Sequence, residues 1–260
     1  MADGGVANVL DMFRLDGQVA IVTGASSGLG VGFAQALSQA GARVVIAGRR
    51  APQLEQTRAT LAEAGGDCLA VVTDVADPDQ CEHLVQRAVG DFGRVDILVN
   101  NAGVAAGTPA LKEHPDDFRR VLDINVNGTY WMARAFARAA SGGGAIVNVG
   151  SILGLTTAGL PHPAYAASKA AVMGLTRDLA AEWTGRRGIR VNCLAPGFFP
   201  GEMTDQYPAG YLDRMAAERT MNGRLGRVEE LAATLLWLVS PASGYVTGQT
   251  IVVDGGVVLT

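Results

Sequence analysis

The sequence predicts a doubly wound α/β fold, in which a seven-stranded parallel sheet carries helices on both faces. Short runs rich in Val and Ile alternate with helix-length segments along most of the chain. Most of these runs are apolar at consecutive positions, as expected of parallel strands that are covered on both faces. Since this alternation continues without an internal linker, we expect one sheet and one domain.

The individual elements follow from the apolar runs and from the residues that separate them. The predicted strands cover residues 19–23, 43–47, 68–72, 97–100, 145–149, 189–194 and 250–253, and the predicted helices cover residues 29–40, 52–64, 78–91, 116–140, 164–185 and 228–240. Gly41, Gly65 and Gly93 stand where helices should end. Asp77 followed by Pro78 predicts an N-cap and the first residue of a helix.

The domain limits follow from the segments that lack this pattern. Residues 1–16 are expected to form an arm before the first strand, and residues 17–260 to form the single domain. Residues 198–221 form the longest segment without clear strand character. Loops of that length are usually functional or contain short helices of their own.

Composition excludes several functional classes. The net charge is −4 without a block of like charges, so nothing indicates binding to nucleic acid or to an anionic membrane. No apolar run reaches about 18 residues, and the first residues lack the features of a signal peptide. The odd number of widely spaced cysteines predicts neither a disulfide framework nor a metal site. We therefore expect a cytoplasmic protein without a protein-bound metal.

A glycine-rich turn follows the first predicted strand. Gly24, Gly28 and Gly30 open the next helix, where backbone N–H groups and the helix N-terminus can face a pyrophosphate. Their spacing is GxxxGxG and not GxGxxG, so the general dinucleotide fingerprint matches only loosely. Taken alone, such a turn can also be purely structural.

The same turn contains a second pattern. Residues 24–28 read GxSxG, the nucleophile elbow of α/β-hydrolases, which would make Ser26 a nucleophile with an Asp and a His further along the chain. His162 stands between two prolines, well before the last predicted strands, and the elbow follows only the first strand. Both positions disfavour a serine hydrolase.

The choice of cofactor is predicted by the residues after the second strand. A carboxylate about 20 residues after the glycine turn would bind a ribose 2′-hydroxyl, but Arg49 and Arg50 stand there. Guanidinium groups bind phosphates well, so this pair favours NADP(H) over NAD(H). The alternative is a solvated pair of arginines at the start of a helix.

Tyr165 and Lys169 are spaced i, i+4 on a predicted helix and therefore lie on one face. An ammonium beside a phenol favours the phenolate and lowers the pKa of the phenol, which would make Tyr165 a proton donor and acceptor. The alternative is a surface tyrosine beside a solvated lysine.

These motifs occur together in one order, and that order resembles the short-chain dehydrogenase/reductase family in its single-domain form. The resemblance extends over residues 15–256 and rests on the segments 23–30, Asp74, 100–103, Asn125, Ser151, Tyr165 with Lys169, Pro196-Gly197 and 247–256. The segment 198–204 is similar to gluconate 5-dehydrogenase-like and 3-ketoacyl reductase-type members. Ser151 and Tyr165 are one residue further apart than is usual in the family, and Gly150 stands where a second serine is common.

The resemblance implies a Rossmann fold and assigns roles to residues. It implies that Asn125, Ser151, Tyr165 and Lys169 are catalytic. It implies that the cofactor is bound by Gly24, Ser26, Ser27, Gly28, Leu29, Gly30, Arg49, Arg50, Asp74, Val75, Asn101, Ala102, Gly103, Tyr165, Lys169, Pro196, Gly197, Phe199 and Thr204. Most of these residue types also occur at ordinary turns and caps, so the assignments depend on the ordered set.

The resemblance also implies an activity. We expect an NADP(H)-dependent oxidoreductase that interconverts a carbonyl and a secondary alcohol, with residues 198–221 as a substrate lid and a dimer or tetramer as the assembly. The alternatives are a hydrolase that uses Ser26 and a non-catalytic dinucleotide-binding protein. A small neutral or lipophilic substrate is expected, because the candidate pocket residues are uncharged: Ile152, Leu153, Leu155, Leu160, Phe198, Phe199, Met203 and Tyr207. Arg214 and Arg219 are the nearest cations that follow.

Overall fold

Seven parallel strands form one sheet in the part of the chain that the computed structural model describes, residues 8–105, 107–205 and 207–260. Their order across the sheet is β3-β2-β1-β4-β5-β6-β7. The strands are β1 (Val19–Thr23), β2 (Arg43–Gly48), β3 (Cys68–Val72), β4 (Ile97–Asn100), β5 (Gly144–Val149), β6 (Ile189–Pro196) and β7 (Thr250–Val253). The predicted fold class is confirmed.

Eight α-helices connect the strands within the described residues. They are α1 (Gly28–Gln39), α2 (Ala51–Glu63), α3 (Pro78–Phe92), α4 (Pro115–Leu122), α5 (Gly128–Ala139), α6 (Pro163–Arg187), α7 (Tyr211–Glu218) and α8 (Val228–Val239). The prediction of one helix over residues 116–140 is wrong in detail, because a π-helical turn, Asp123–Asn127, separates α4 from α5. Helix α7 lies inside the segment predicted as a lid.

The sheet divides the core into two layers. Side chains alternate along β1, so that Val19 and Ile21 pack on one face while Ala20 and Val22 pack on the other, all of them fully buried. Helices α3, α5 and α6 cover the first face, and helices α1, α2 and α8 cover the second. Burial on both faces explains why the strands read as continuous apolar runs.

Local signals in the sequence set the helix ends correctly where a side chain or a glycine makes the cap. The Asp77 carboxylate accepts hydrogen bonds from the backbone N–H groups of Asp79 and Gln80 at the start of α3. The same helix ends at Gly93, whose φ of 81° lies in the left-handed region that glycine adopts without strain.

The strand order reverses between β1 and β4, since the chain crosses from one edge of the sheet, at β3, to the other half. In an open α/β sheet, ligands bind in the crevice at the carboxyl ends of the strands at such a switch point. The carboxyl ends of β1 and β4 carry the glycine turn and Asn101. The topology therefore places the two segments side by side.

Near both ends of the described residues, the chain forms short 3₁₀ turns outside the sheet. Residues 1–7 of the predicted arm lie outside the described residues; within the rest, Val9–Phe13 forms a 3₁₀ turn and Leu15 is fully buried. Val257–Leu259 forms another 3₁₀ turn, with Val257 buried and Leu259 exposed. No helix among the described residues has the length and apolar character needed to cross a membrane.

Candidate active site

The glycine turn joins β1 to α1 and is packed too closely for side chains at two of its positions. Gly24 has a φ of 66°, and a Cβ there would lie 2.8 Å from the Cα of Ala102. A Cβ on Gly30 would lie 2.4 Å from the carbonyl oxygen of Gly24. The glycines thus let the turn approach the neighbouring strand end and leave the N-terminus of α1 open to a ligand.

The end of β4 is bonded to this turn. The Asn101 side chain donates hydrogen bonds to the carbonyl oxygens of Thr23 and Gly24, at 2.9 and 3.1 Å. The Thr23 hydroxyl accepts from the backbone N–H groups of Asn101 and Ala102. These bonds satisfy the polar groups at the strand ends and fix the position of segment 101–103 beside the turn.

The two arginines after β2 lie at the same edge. Arg49 is 4.0 Å from the Asp74 carboxylate, and both side chains are partly exposed. Arg50 donates to the Ser26 hydroxyl through Nε and Nη2, at 3.3 and 3.2 Å. A serine nucleophile needs a base that accepts its proton, and a guanidinium only donates. The surroundings of Ser26 therefore favour an anion site over a hydrolase.

A cavity of about 540 Å³ begins at this edge and extends to Tyr165. Its volume lies within the usual range for small-molecule sites. One end is lined by the glycine turn, Arg49, Arg50 and Asp74, and the other by Ser151, Tyr165 and Lys169. A charged end and a largely apolar end with a phenol in one cavity suit a dinucleotide and a second, smaller molecule.

Tyr165 and Lys169 lie on one turn of α6 and are almost completely buried, with 8% and 4% of their surface exposed. The Lys169 Nζ donates to the carbonyl oxygen of Val149 at 2.7 Å and lies 5.5 Å from the centre of the Tyr165 ring. Burial excludes the alternative of a solvated surface pair.

Burial also shifts the pKa values of the pair. It raises the pKa of Tyr165 to about 12, while interaction with the Ser151 hydroxyl acts in the opposite direction. It lowers the pKa of Lys169 to about 8. The expectation that Lys169 lowers the pKa of Tyr165 is not met, because removal of the phenol from water outweighs the other influences on it. Both groups are therefore shifted towards their neutral forms.

Ser151 follows β5 and lies on the cavity wall beside Tyr165. Its Oγ accepts a hydrogen bond from the backbone N–H of Leu153, which starts a 3₁₀ turn, Ile152–Gly154. In the loop between this turn and Tyr165, Gly159 has a φ of 74°. The wider spacing does not separate the hydroxyl from the phenol.

Asn125 lies in the π-helical turn and is buried behind the cavity wall. Its Oδ1 accepts from the N–H of Val104 at 2.8 Å, and its Nδ2 donates to the Val104 carbonyl and to the Ser168 hydroxyl, both at 2.9 Å. Ser168 in turn donates to the carbonyl oxygen of Tyr165. Asn125 thus connects segment 101–105 to the helix that carries the tyrosine.

The cavity end around Tyr165 is mostly apolar and aromatic. Phe198, Tyr207 and Tyr211 form ring contacts there, and the Tyr211 hydroxyl donates to the carbonyl oxygen of Ala158. The His162 ring packs edge-on against Tyr165 and Tyr207. Six of the eight predicted pocket residues line the cavity; Leu155 and Leu160 do not. Among the described residues of the lining, neither Arg214 nor Arg219 appears.

Most of the predicted site residues meet at this one cavity. The exceptions are Gly30, which is a packing position, and Asn125, which lies behind the wall. Sequence reasoning missed Glu202, which lies in the segment predicted as a lid and is bonded to Arg50. It also gave no role to Gly48, Thr73 and Arg120, which line the cavity. Within the described residues, no group of three or more His, Cys, Asp or Glu side chains could hold a metal ion.

Comparison with known proteins identifies the family. A family model described as "Enoyl-(Acyl carrier protein) reductase" matches residues 24–258. Galactitol 2-dehydrogenase (L-tagatose-forming) of Cereibacter sphaeroides is 44% identical over 250 residues, covering 94% of this chain and 96% of that protein. The chain belongs to the short-chain dehydrogenase/reductase family.

Two gluconate dehydrogenases give the same assignment. Gluconate 5-dehydrogenase of Gluconobacter oxydans is 38% identical over 255 residues, which are 96% of this chain and 98% of that protein. The crystal structure of a gluconate 5-dehydrogenase from Burkholderia cenocepacia, in complex with NADP and tartrate, superposes with a TM-score of 0.92. It is 36% identical and covers 97% of this chain and 100% of that one. The chain is thus an oxidoreductase of the short-chain dehydrogenase/reductase family that depends on a nucleotide cofactor.

Proposed function

We propose that this enzyme interconverts a small neutral carbonyl compound and the corresponding secondary alcohol with NADP(H), and that Tyr165 transfers the proton. One observation carries the proposal: the buried Tyr165 phenol, flanked by Ser151 and Lys169, faces the cavity that begins at the glycine turn. A proton donor at one end and an anion-binding turn at the other suit hydride transfer coupled to proton transfer.

The residues of the cavity fit the cofactor. The glycine turn and the N-terminus of α1 would hold the pyrophosphate, segment 101–103 with Asp74 would face the adenosine, and Lys169 would reach the nicotinamide ribose. Leu29, Val75, Pro196, Gly197, Phe199 and Thr204 form further parts of the wall, Thr204 through a turn in which its hydroxyl donates to Gly201. When bound, the nicotinamide supplies or accepts the hydride.

The protein moves the proton and positions the substrate oxygen. In ketone reduction, Tyr165 donates its phenolic proton to the carbonyl oxygen; in alcohol oxidation, it takes the hydroxyl proton. Ser151 donates a hydrogen bond to the same oxygen and holds it beside the phenol. Lys169, which at a pKa of about 8 is mostly protonated at pH 7, stabilises the phenolate. Asn125 holds segment 101–105 in place against α6. We also propose that it helps to hold a chain of water molecules through which Tyr165 is reprotonated.

The preference for NADP(H) rests on Arg49 and Arg50. Both line the cavity after β2, and no carboxylate follows that strand at the position that binds a ribose 2′-hydroxyl. Arg50 beside the Ser26 hydroxyl, and Arg49 next to it in the chain, offer charged donors to a 2′-phosphate.

The substrate class follows from the opposite end. Apart from Lys169, the side chains that pack around Tyr165 are uncharged, with the hydroxyls of Ser151 and Tyr207 among apolar neighbours. A neutral polyol or its ketose is the first candidate, because the galactitol 2-dehydrogenase of Cereibacter sphaeroides is the most similar of the proteins described above.

The decisive test is Tyr165→Phe. We expect turnover of polyols and ketoses to fall by about 10²- to 10⁴-fold, because general acid and base catalysis contributes on that order. Binding of NADPH, measured by fluorescence titration, should change less than about threefold, since the ring that packs beside the cofactor remains.

Tyr211→Phe is the matched control, because it removes a phenolic hydroxyl from the same aromatic cluster without touching the cavity lining. Its turnover should stay within about tenfold of the wild type. Near-normal turnover in Tyr165→Phe would exclude the mechanism. Tight binding of NADPH by the wild type, with no turnover of any carbonyl or alcohol, would favour a non-catalytic dinucleotide-binding protein.

A further inference from the structure

Glu202 lies in the lid, and its carboxylate is bound by the groups that the glycine edge offers to an anion. Arg50 donates from Nη1 to Oε1 at 2.6 Å and from Nη2 to Oε2 at 2.9 Å. The Ser27 hydroxyl donates a short hydrogen bond to Oε2. These bonds lower the pKa of Glu202 to about 2, so the carboxylate is charged at neutral pH.

The donors around Glu202 form one connected set. Arg50 Nη2 also contacts the hydroxyls of Ser26 and Ser27, at 3.2 and 2.7 Å. Ser27 is the N-cap residue of α1, but its side chain makes no capping bond to the helix. Its hydroxyl is instead used by Glu202. The lid carboxylate thus occupies a position between a guanidinium, a serine and a helix N-terminus, which all favour a bound anion.

The lid backbone lies close to the turn as well. A Cβ placed on Gly201 would be 3.9 Å from the Cα of Gly28, so even an alanine at the residue before Glu202 would touch the turn. The bonds from Arg50 and Ser27 to the Glu202 carboxylate thus join the lid to the cavity wall where the cofactor phosphates are expected.

We propose that Glu202 determines cofactor specificity by competing with the 2′-phosphate of NADP(H) for Arg50 and Ser27. The proposal rests on the proposed function, in that Arg50 is taken to receive this phosphate. A cofactor with a 2′-phosphate has to displace the carboxylate, whereas NAD(H) leaves the Arg50–Glu202 pair in place. Glu202 consequently weakens the preference for NADP(H) that the two arginines create. The affinities for NADP(H) and NAD(H) therefore differ less than they would without this carboxylate.

The test is Glu202→Gln, which keeps the shape of the side chain and removes its charge. The pair is partly exposed, with 41% and 57% of the two side chains accessible, so its effect is that of a surface ion pair. We expect the Kd of NADPH to fall about threefold to fivefold and that of NADH to stay within about 1.5-fold. The gain should shrink as salt is raised from about 0.05 to 0.5 M, because salt screens the competition.

Asp205→Asn is the matched control. It removes one negative charge from the same lid segment, but Asp205 forms no ion pair among the described residues and does not line the cavity. An equal gain in NADPH affinity in this variant would show that net charge alone acts, and it would overturn the proposal. Glu202→Gln in an Arg50→Gln background should have a clearly smaller effect, since only the competition for Ser27 then remains.

Two fragments of the cofactor show which of its phosphates competes with Glu202. They also test this proposal separately from the proposed function. Adenosine 2′,5′-bisphosphate carries the 2′-phosphate without the nicotinamide, and ADP carries the pyrophosphate without the 2′-phosphate. Calorimetric titration should show tighter binding of the first to Glu202→Gln and unchanged binding of the second. Tighter binding of ADP alone, or of neither fragment, would overturn the proposal. Because neither titration needs turnover, a failure of the catalytic assignment at Tyr165 leaves this result unaffected.

Discussion

At the scale of single residues, the wall beside Lys169 is fixed by a glycine and a cysteine. A Cβ placed on Gly150 would lie 2.6 Å from the Sγ of Cys193, which is fully buried on the adjacent strand. Cys193 thus fills the space that a second serine before Ser151 would need. The carbonyl of Val149, the residue before Gly150, accepts the hydrogen bond from Lys169. A shift of the backbone at Gly150 would therefore also move the partner of Lys169.

The contact predicts how Gly150→Ser behaves. Overpacking of a closed core position should lower the free energy of unfolding by about 1–3 kcal/mol in urea denaturation. Adding Cys193→Ala makes room for the serine, so the double variant should lose less stability than the two single losses combined. Strictly additive losses would show that the two positions are not in contact.

At the scale of elements, the π-helical turn between α4 and α5 places Asn125 where a regular helix would not. Such turns are frequent at functional sites, because the extra residue changes the direction in which a side chain points. Asn125 uses the changed direction to bond Val104 and Ser168, whereas Asn127, on the same turn, is exposed and bonds the Asp123 carboxylate. One turn thus carries an inward amide and an outward one.

These two asparagines predict different outcomes. Asn125→Ala leaves the backbone N–H and carbonyl of Val104 without their partners, and we expect a loss of about 2–4 kcal/mol in the free energy of unfolding. Turnover should fall as well, because segment 101–105 is no longer fixed beside α6. Asn127→Ala removes only a surface bond and should change stability by less than about 0.5 kcal/mol. Urea denaturation and steady-state rates measure both, and equal losses in the two variants would contradict the assignment.

The elements also mark the limit of what the sequence could predict. Strands and most helices followed from apolar runs and caps, because those signals are local, as at Asp77 and Gly93. The π-helical turn has no such signal, since the widening depends on partners such as Val104 that are distant in the chain. The bond between Arg50 and Glu202 joins residues 152 positions apart and forms only in the folded chain. The raised pKa of Tyr165 likewise depends on burial, which the spacing of Tyr165 and Lys169 does not reveal.

At the scale of the whole molecule, the strand order determines where these residues meet. The crossover between β3 and β4 opens the crevice at the carboxyl ends of β1 and β4, and the two-layered core holds both strands rigidly. The cavity therefore combines groups from distant parts of the chain, from Gly24 to Tyr207. A ligand that fills it contacts residues at the carboxyl ends of most strands and should stabilise the entire fold.

This coupling predicts a cofactor-dependent melting temperature. NADPH at about 100 times its Kd should stabilise the folded state by about 2.7 kcal/mol, which raises Tm by roughly 5–10 °C for a domain of this size. NADH at the same concentration should raise Tm by several degrees less, because it lacks the phosphate that we assign to Arg49 and Arg50. Replacing both arginines by Gln should bring the two shifts together, while Arg58→Gln, on the exposed side of α2, should leave them apart. A larger shift with NADH than with NADPH in the wild type would contradict the assignment of the two arginines.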